Sequence, residues 1–564
     1  MITVPTEQRA EVPSGAPFII DKCPFKPGEQ FDYAMLDLEE DKIVDWPMVY
    51  ILANDTEAYV GQTTSVAKRM GQHGANEEKS IFDTANIIFN EEFNVSVITD
   101  YEHRLIDYMH ADGRYRLTNK NDGMTNSNYF SKAVYSEMFE ELWDELRNLE
   151  LADHTVDEIE ESEVFKYSPF KRLNADQRVA LDKIKAAIDK GLDRAAPIVV
   201  EGMPGTGKTI LAIYLLKMLR DDERYKDLNI RIIEPVTSLR KTLQRALRYV
   251  PGISSDDVIA PSDLVKPKLG FTLDGSESFD IVLVDEAHKL KQRKNLGTQF
   301  RNYDNVNRKL GLEKEATQVD WVINQAKLPI FFYDPLQSIG PSCVGGAAMD
   351  SLIDSCAIEP IRLESQMRVK GGDEYLSYIL DVLNGSCDDA LSFPDYDLVL
   401  HVSFDGFVAS FEQKLKEHDL SRFVAGYAWK WISKKDKTAR DIVIDGIGLR
   451  WNCTYEDWVG RGVDNPEIAH EVGCIHSIQG YDLSYAYVII GDDLTLDPET
   501  GKLVSDKSSY FDRNGFATAT KEELDQYIKN IYYVLLTRGI LGTHIYVANP
   551  SLREYFAQYF PVFQ

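Results

Sequence analysis

The sequence has no uninterrupted apolar run of the roughly 18 residues that a membrane-crossing helix needs, so no helical span is expected. Its opening residues, MITVPTEQRAEVPSGAPF, lack a basic segment followed by an apolar core, and no secretory signal is expected. Cysteine is scarce: Cys23, Cys343, Cys356, Cys387, Cys453 and Cys474 are scattered, with no C-x-x-C pair. Metal-ligand and disulfide spacing are therefore missing, which points to reduced thiols in a cytoplasm. Positive charge is also short, with 62 Lys and Arg against 91 Asp and Glu and a net charge of −29. That balance weakens non-specific attraction to polyanions. Two stretches, Lys289-Leu-Lys-Gln-Arg-Lys294 and Lys434-Lys-Asp-Lys437, are nonetheless locally basic. At 564 residues the chain exceeds one core, and about three to four domains are expected.

What is present is organised around Gly202-Met-Pro-Gly-Thr-Gly-Lys-Thr209, which fits G-x-x-x-x-G-K-[ST] at every defined position. The apolar run before it reads as a buried strand, and Ile210 to Leu219 reads as a helix. Gly202, Gly205 and Gly207 let the backbone wrap a triphosphate, and the helix N-terminus favours its charge. Lys208 would reach the β- and γ-phosphates, and Thr209 would hold Mg²⁺. ATP with Mg²⁺ is the expected cofactor. Upstream, Asn174 and Gln177 have the amide chemistry to read an adenine edge. Four apolar runs, Ile198–Val200, Ile230–Ile233, Ile281–Val284 and Ile330–Tyr333, suggest a parallel sheet buried on both faces. Asp285 ends the third run, placed to hold Mg²⁺, with Glu286 beside it to polarise water. Gln337, after the fourth, could sense the γ-phosphate. Thr237-Ser-Leu-Arg240 ends the second. Such a row at the carboxyl ends of strands is where open α/β sheets bind ligands.

The second half adds Arg368, His476-Ser-Ile-Gln479-Gly480 before the strand Tyr487–Ile490, and Tyr533-Val-Leu-Leu-Thr-Arg538 before the strand His544–Val547. This ordered series resembles a superfamily 1 helicase, most closely the Schlafen-type (group 3) DNA/RNA helicase domain. The resemblance implies two RecA-like lobes that clamp ATP. It also implies that Arg368 and Arg538 act as arginine fingers, and that Gln479-Gly480 couples nucleotide state to a nucleic-acid strand.

Nearer the start, Met48-Val-Tyr-Ile-Leu52 and Ala58-Tyr-Val-Gly61 read as two strands joined by a tight turn. A helix from Ser65 to Gln72 carries Arg69, and His73 follows at i+4 on the same face. Phe93 to Ile98 alternates like a third strand, and Tyr101 to Met109 has helical spacing with Glu102 early in it. The set resembles the GIY-YIG nuclease family. Tyr50 stands in its first motif, Tyr59-Val60-Gly61 in its second, Arg69 at its helix arginine and Glu102 at its metal-binding glutamate. Asn119, or as second choice Asn121, stands at its late asparagine, and His73 matches members with His there. Three features depart from the family: Met48-Val49 replaces the first glycine, Gln62 stands for a common lysine, and the Glu102–Asn119 gap is longer. The resemblance implies single-metal phosphodiester cleavage. Glu102 would hold Mg²⁺, Arg69 would bind the phosphate, and Tyr50 with Tyr59 or His73 would activate water.

Between these modules Phe139, Leu142, Trp143, Leu146 and Leu149 recur at helical spacing, while residues 137–163 hold twelve acidic residues and one Arg. The stretch reads as an amphipathic linker helix. The expected fold is a multidomain α/β chain, a small α+β GIY-YIG domain followed by two RecA-like parallel-sheet lobes. Its segments are an N-terminal extension (1–44), the nuclease-like domain (45–135), the acidic linker helix (136–165), lobe 1 (166–360) and lobe 2 (361–564). The expected function is an ATP-dependent helicase or translocase fused to an endonuclease. It would act on nucleic acid, DNA ahead of RNA, with no membrane partner and with an oligomer or protein partner open, and would serve defence against foreign nucleic acid. The rival is a nucleotide-gated binding switch with an inactive nuclease-like docking domain.

Overall fold

The computed structural model describes residues 17–563 apart from 27, 30, 120–131, 162–164, 166, 168–172, 193–195, 251, 273–277, 357, 367–368, 455–457 and 479–480. Two compact units emerge. The first is Met1–Arg172 with Lys217–Lys226 and Leu243–Ser255; the second is Leu173–Leu216, Asp227–Thr242 and Asp256–Gln564.

The first unit is built on a five-stranded sheet of order β1-β4-β2-β3-β5. Its strands are β1 (Ile19–Pro24), β2 (Met48–Ala53), β3 (Glu57–Thr63), β4 (Thr84–Phe89) and β5 (Arg116–Leu117). The β2–β3 hairpin is antiparallel and sets Tyr50 opposite Gly61. Glycine is required there, because a Cβ on residue 61 would lie 2.2 Å from the Tyr50 hydroxyl. Two expectations change. The third strand is Thr84–Phe89, whereas residues 93–98 run into the helix Val95–Asp112. The Asn94 side chain accepts the Ser96 and Val97 N–H groups, and this N-cap sets a helix where apolar alternation suggested a strand. The stretch taken as an extension also contributes β1, antiparallel to β4, since Cys23 and Phe25 are apolar enough to close that edge of the core.

The acidic stretch forms two helices, Lys132–Asn148 and Val156–Glu161. Phe139, Leu142, Trp143 and Leu146 are buried as their spacing predicts. Leu149 is not; it is 47% exposed, because the helix ends at Asn148 and Glu150 turns left-handed at φ 58°. Phe139 packs edge-on against Tyr101 and Tyr108 of the helix Val95–Asp112, at 5.3 and 5.2 Å between ring centres. The segment read as a linker is thus part of the first unit's core.

The second unit holds two six-stranded sheets in which every strand pair is parallel. One has the order β11-β6-β10-β9-β7-β8, from β6 (Ile198–Gly202), β7 (Ile230–Ile233), β8 (Val258–Ile259), β9 (Phe279–Val284), β10 (Ala326–Tyr333) and β11 (Ile361–Leu363). The four apolar runs fall on β6, β7, β9 and β10, where residues from alternate positions are equally buried, as a sheet covered on both faces demands. In chain order there follow β12 (Asp397–His401), β13 (Ser421–Ala425), the hairpin β14 (Ile442–Ile444) and β15 (Ile447–Leu449), β16 (Val472–Gly473) and β17 (Leu483–Ile490). The hairpin β18 (Leu494–Leu496) and β19 (Leu503–Ser505), β20 (Gly539–Val547) and β21 (Val562–Phe563) complete the set. The second large sheet has the order β16-β13-β17-β20-β12-β21. This is the expected α/β class: a small α+β region and two parallel-sheet lobes. Among the described residues no helix is long and apolar enough to cross a membrane.

Candidate functional site

In the first large sheet β6 lies beside β10, and β10 beside β9, so three strand ends meet at one carboxyl edge. β6 runs into the phosphate loop, whose Gly205 and Gly207 have φ of 84° and 76°, a region L side chains rarely adopt. The helix Lys208–Asp221 starts from that loop. Lys208 Nζ donates to the carbonyls of Gly202 and Met203 at 2.7 and 3.0 Å, and lies 3.4 Å from Asp334 at the end of β10. Gln337 donates through Nε2 to the same Asp334 oxygen at 2.6 Å, and Arg538 Nη2 donates to Gln337 Oε1 at 3.3 Å. A continuous polar chain therefore runs from the loop lysine through Asp334 and Gln337 to Arg538, which immediately precedes β20 in the other lobe. Asp334 was not singled out from sequence as a functional group; its position at a strand end was the available signal.

At the end of β9, Asp285 is buried, and neither carboxylate oxygen meets a hydrogen-bond donor at good geometry. Burial and the neighbouring Glu286 push its pKa up, while the nearby Thr209 hydroxyl and Lys208 offset part of the rise. A buried carboxylate beside a threonine hydroxyl is a set of oxygens that suits a hard divalent cation. The described residues hold no group of three or more His, Cys, Asp or Glu side chains able to bind a metal. A cation here would take one carboxylate, one hydroxyl and oxygens from phosphate and water, as Mg²⁺ does. Bound there, it would neutralise charge developing on transferred phosphate. Glu286 sits at φ 47°, a strained conformation of the kind that gathers at active sites. Burial works against its charge, yet His288 at 2.8 Å, Lys208 and Lys289 hold its carboxyl below the usual range. Lys289, pulled down to about 8 by burial, donates to the Gln337 carbonyl.

The adenine-reading pair is arranged otherwise than expected. Asn174 and Gln177 form a capping box, each side-chain oxygen accepting the other residue's backbone N–H at 2.8 and 2.9 Å. Gln177 Nε2 donates to the Thr206 carbonyl at 2.9 Å. Fully buried, Gln177 braces the phosphate loop, and its oxygen is not open to a base edge. Arg368, Gln479 and Gly480 lie outside the described residues, as does Asn121.

In the first unit the hairpin and two helices gather the second set of residues. Arg69 Nε donates to the Tyr50 hydroxyl at 2.9 Å, and that hydroxyl lies 2.7 Å from His73 Nε2. Burial, then the charges of Arg69 and Lys79, lower the His73 pKa to about 4, so the imidazole is neutral and its Nε2 shares a hydrogen bond with the Tyr50 hydroxyl. Tyr50 has no exposed surface and orients its two partners, whereas Tyr59 is half-buried, 6.4 Å from Tyr50 between ring centres. Glu102 is within electrostatic reach of Tyr50, Tyr59 and Arg69. Burial raises its carboxyl to about 7, against the Gln62 backbone N–H, Arg69 and His103, which lower it. One half-buried carboxylate near an arginine suits a cation completed by phosphate and water. Asn119 both donates to and accepts from the Val60 backbone, at 2.8 and 3.0 Å, which fixes the late loop against β3. Sequence reasoning missed Lys79, whose buried ammonium stands 3.0 Å above the Tyr59 ring.

The uncharacterized protein YPL245W of Saccharomyces cerevisiae is 23% identical over 393 residues, covering 64% of this chain and 83% of that protein. The structure of Pif1 helicase from Candida albicans has a TM-score of 0.31 at 13% identity, covering 69% of this chain and 99% of that one. DUF1998 helicase MrfA bound to DNA has a TM-score of 0.28 at 11% identity, covering 68% and 47%. Residues 195–549, more than half of the chain, match the model of the Schlafen group 3 DNA/RNA helicase domain, and the protein belongs to that family.

Proposed function

We propose that the protein is an ATP-driven superfamily 1 motor on nucleic acid, DNA ahead of RNA, whose first unit is an Mg²⁺-dependent endonuclease of the GIY-YIG type. The observation that carries the motor is the polar chain Lys208–Asp334–Gln337–Arg538, which joins the phosphate loop of one lobe to an arginine of the other. Lys208 and the loop amides bind the phosphates, Thr209 and Asp285 hold Mg²⁺, Glu286 orients the attacking water, and Arg538 steadies charge on the γ-phosphate.

The nuclease reading is supported by the convergence of Tyr50, Arg69, His73 and Glu102 from a hairpin and two helices. Arg69 binds the scissile phosphate and Glu102 supplies the carboxylate for Mg²⁺. Tyr59, half-buried beside Arg69, is the hydroxyl assigned to the attacking water, and Tyr50 and His73 fix the arginine. Action in a cytoplasm against foreign nucleic acid is part of the proposal and rests on the pairing of the two activities. The test is cleavage of labelled DNA and RNA with Mg²⁺ by the wild type and Glu102→Ala. Loss of cleavage with retained ATP turnover is expected; cleavage that survives in the variant refutes the nuclease assignment.

A further inference from the structure

Glu234 directly follows β7, at the same carboxyl edge as Asp285. β7 and β9 pair with Ile233 opposite Val284, and the ladder runs one residue further, since the Asp285 N–H donates to the Ile233 carbonyl at 2.9 Å. Glu234 and Asp285 are therefore neighbours across the sheet. Paired positions on adjacent strands send their side chains to one face, so the two carboxylates leave the sheet on the same side. Glu234 is also within electrostatic reach of both Asp285 and Glu286.

The Glu234 side chain is fully buried, and its two oxygens are treated differently. Oε1 accepts the Val236 N–H at 2.6 Å, which fixes the carboxyl in place. Oε2 has no hydrogen-bond partner. A buried carboxylate oxygen with nothing to accept from carries a desolvation cost, and the like charges beside it add to that cost. Arg240 is the cation nearby, but its Nη1 donates to the Glu234 backbone carbonyl at 2.7 Å and its Nη2 to Thr237 Oγ1 at 3.3 Å. Glu286, by contrast, meets His288 at 2.8 Å. Oε2 of Glu234 is thus a rigid acceptor aimed into a cluster of oxygens.

Mg²⁺ gives up its waters reluctantly and keeps several of them when carboxylate and phosphate bind it. Such waters are strong donors, because the cation draws charge from their oxygen, and the groups that accept from the ligands of a metal orient it. A buried acceptor one strand away from Asp285 has the chemistry for that role.

We infer that Glu234 is a positioning residue of the metal site, its Oε2 accepting a hydrogen bond from a water of the Mg²⁺ shell and so holding the cation against Asp285 and Thr209. The inference rests on the reading of Asp285 and Thr209 as the Mg²⁺ ligands and adds to them a residue from a third strand end.

The test is the affinity of the full chain for Mn²⁺, a paramagnetic stand-in for Mg²⁺, at saturating ADP, read by electron paramagnetic resonance. The wild type is compared with Glu234→Gln and Asp285→Asn, and ADP affinity is measured in parallel in EDTA. Glu234→Gln keeps the volume of the side chain and an oxygen for the Val236 N–H but removes the charge. It is expected to weaken Mn²⁺ binding about tenfold while ADP affinity in EDTA changes by less than about twofold. Asp285→Asn is expected to weaken Mn²⁺ binding more than Glu234→Gln does. Wild-type Mn²⁺ affinity in Glu234→Gln, with Asp285→Asn weakened, overturns the inference and leaves the Asp285 site standing. Equal losses of Mn²⁺ and metal-free ADP affinity in Glu234→Gln mark a carboxyl that serves the fold alone, and overturn it too. Wild-type Mn²⁺ affinity in Asp285→Asn refutes the metal site itself and takes the inference with it.

Discussion

Glu102 offers the sharpest link between geometry and measurement. Its carboxyl is raised from 4.5 to about 7, chiefly by burial. Between those two values the folded chain holds a proton that the unfolded chain releases, so stability falls as pH rises through this window. Above pH 7 the ionised carboxylate costs the first unit about 3 kcal/mol, and below pH 4.5 the cost disappears. Glu102→Gln keeps the shape and an acceptor for the Gln62 N–H but removes the charge. The variant should be more stable than the wild type by about 3 kcal/mol at pH 8 and by less than about 1 kcal/mol at pH 5. Hydrogen exchange of the helix Val95–Asp112, compared between the two proteins at each pH, reads this directly. Protection should rise about two orders of magnitude in the variant at pH 8, and millimolar Mg²⁺ should close part of the gap by stabilising the wild type alone. A variant no more protected than the wild type at pH 8, or equally improved at pH 5, refutes the reasoning.

Other outcomes follow from the same contacts. Arg538→Ala should lower ATP hydrolysis about 10³-fold while ATP affinity, measured by equilibrium binding, changes by less than about tenfold. Gly61→Ala drives a Cβ into the Tyr50 ring. It should destabilise the first unit by about 1–3 kcal/mol in denaturant titration and abolish cleavage, while ATP turnover persists. Cleavage at limiting Mg²⁺ should fall as pH drops below about 7, because Glu102 is then protonated, and raising Mg²⁺ should move that fall to lower pH. Lys208→Ala should abolish ATP turnover, and loss of the ammonium beside buried Asp334 should lower the melting temperature measurably.

Much of the helicase domain was legible in the sequence. Parallel strands covered on both faces must be continuously apolar, so β6, β7, β9 and β10 announce themselves. The phosphate loop shows in the spacing of Gly202 and Gly207 before Lys208. The first unit was legible as an ordered set, since Tyr50, Arg69 and Glu102 sit on elements whose periodicity is local. Four things were hidden because they depend on contacts between distant residues or on a single cap. Asn94 starts a helix at Val95, so that residues 95–98, which apolar alternation had read as part of a strand, join the helical stretch that follows. Gln177 found its partner in Thr206, across the loop, and so is not open to a base. Lys79 reaches Tyr59 from 20 residues away, and Trp429 and Trp451 share a cavity although a β-hairpin separates them in sequence.

The central claim is that one chain carries both an ATP-driven motor and an Mg²⁺-dependent nuclease. The direct measurement is ATP turnover and strand cleavage followed in the same tubes with Mg²⁺, without nucleic acid and with single-stranded DNA, duplex DNA and RNA, using Lys208→Ala and Glu102→Ala as controls. The account predicts turnover stimulated by a nucleic acid and lost in the Lys208 variant, with cleavage lost in the Glu102 variant. Unstimulated turnover with no cleavage of any strand would contradict it.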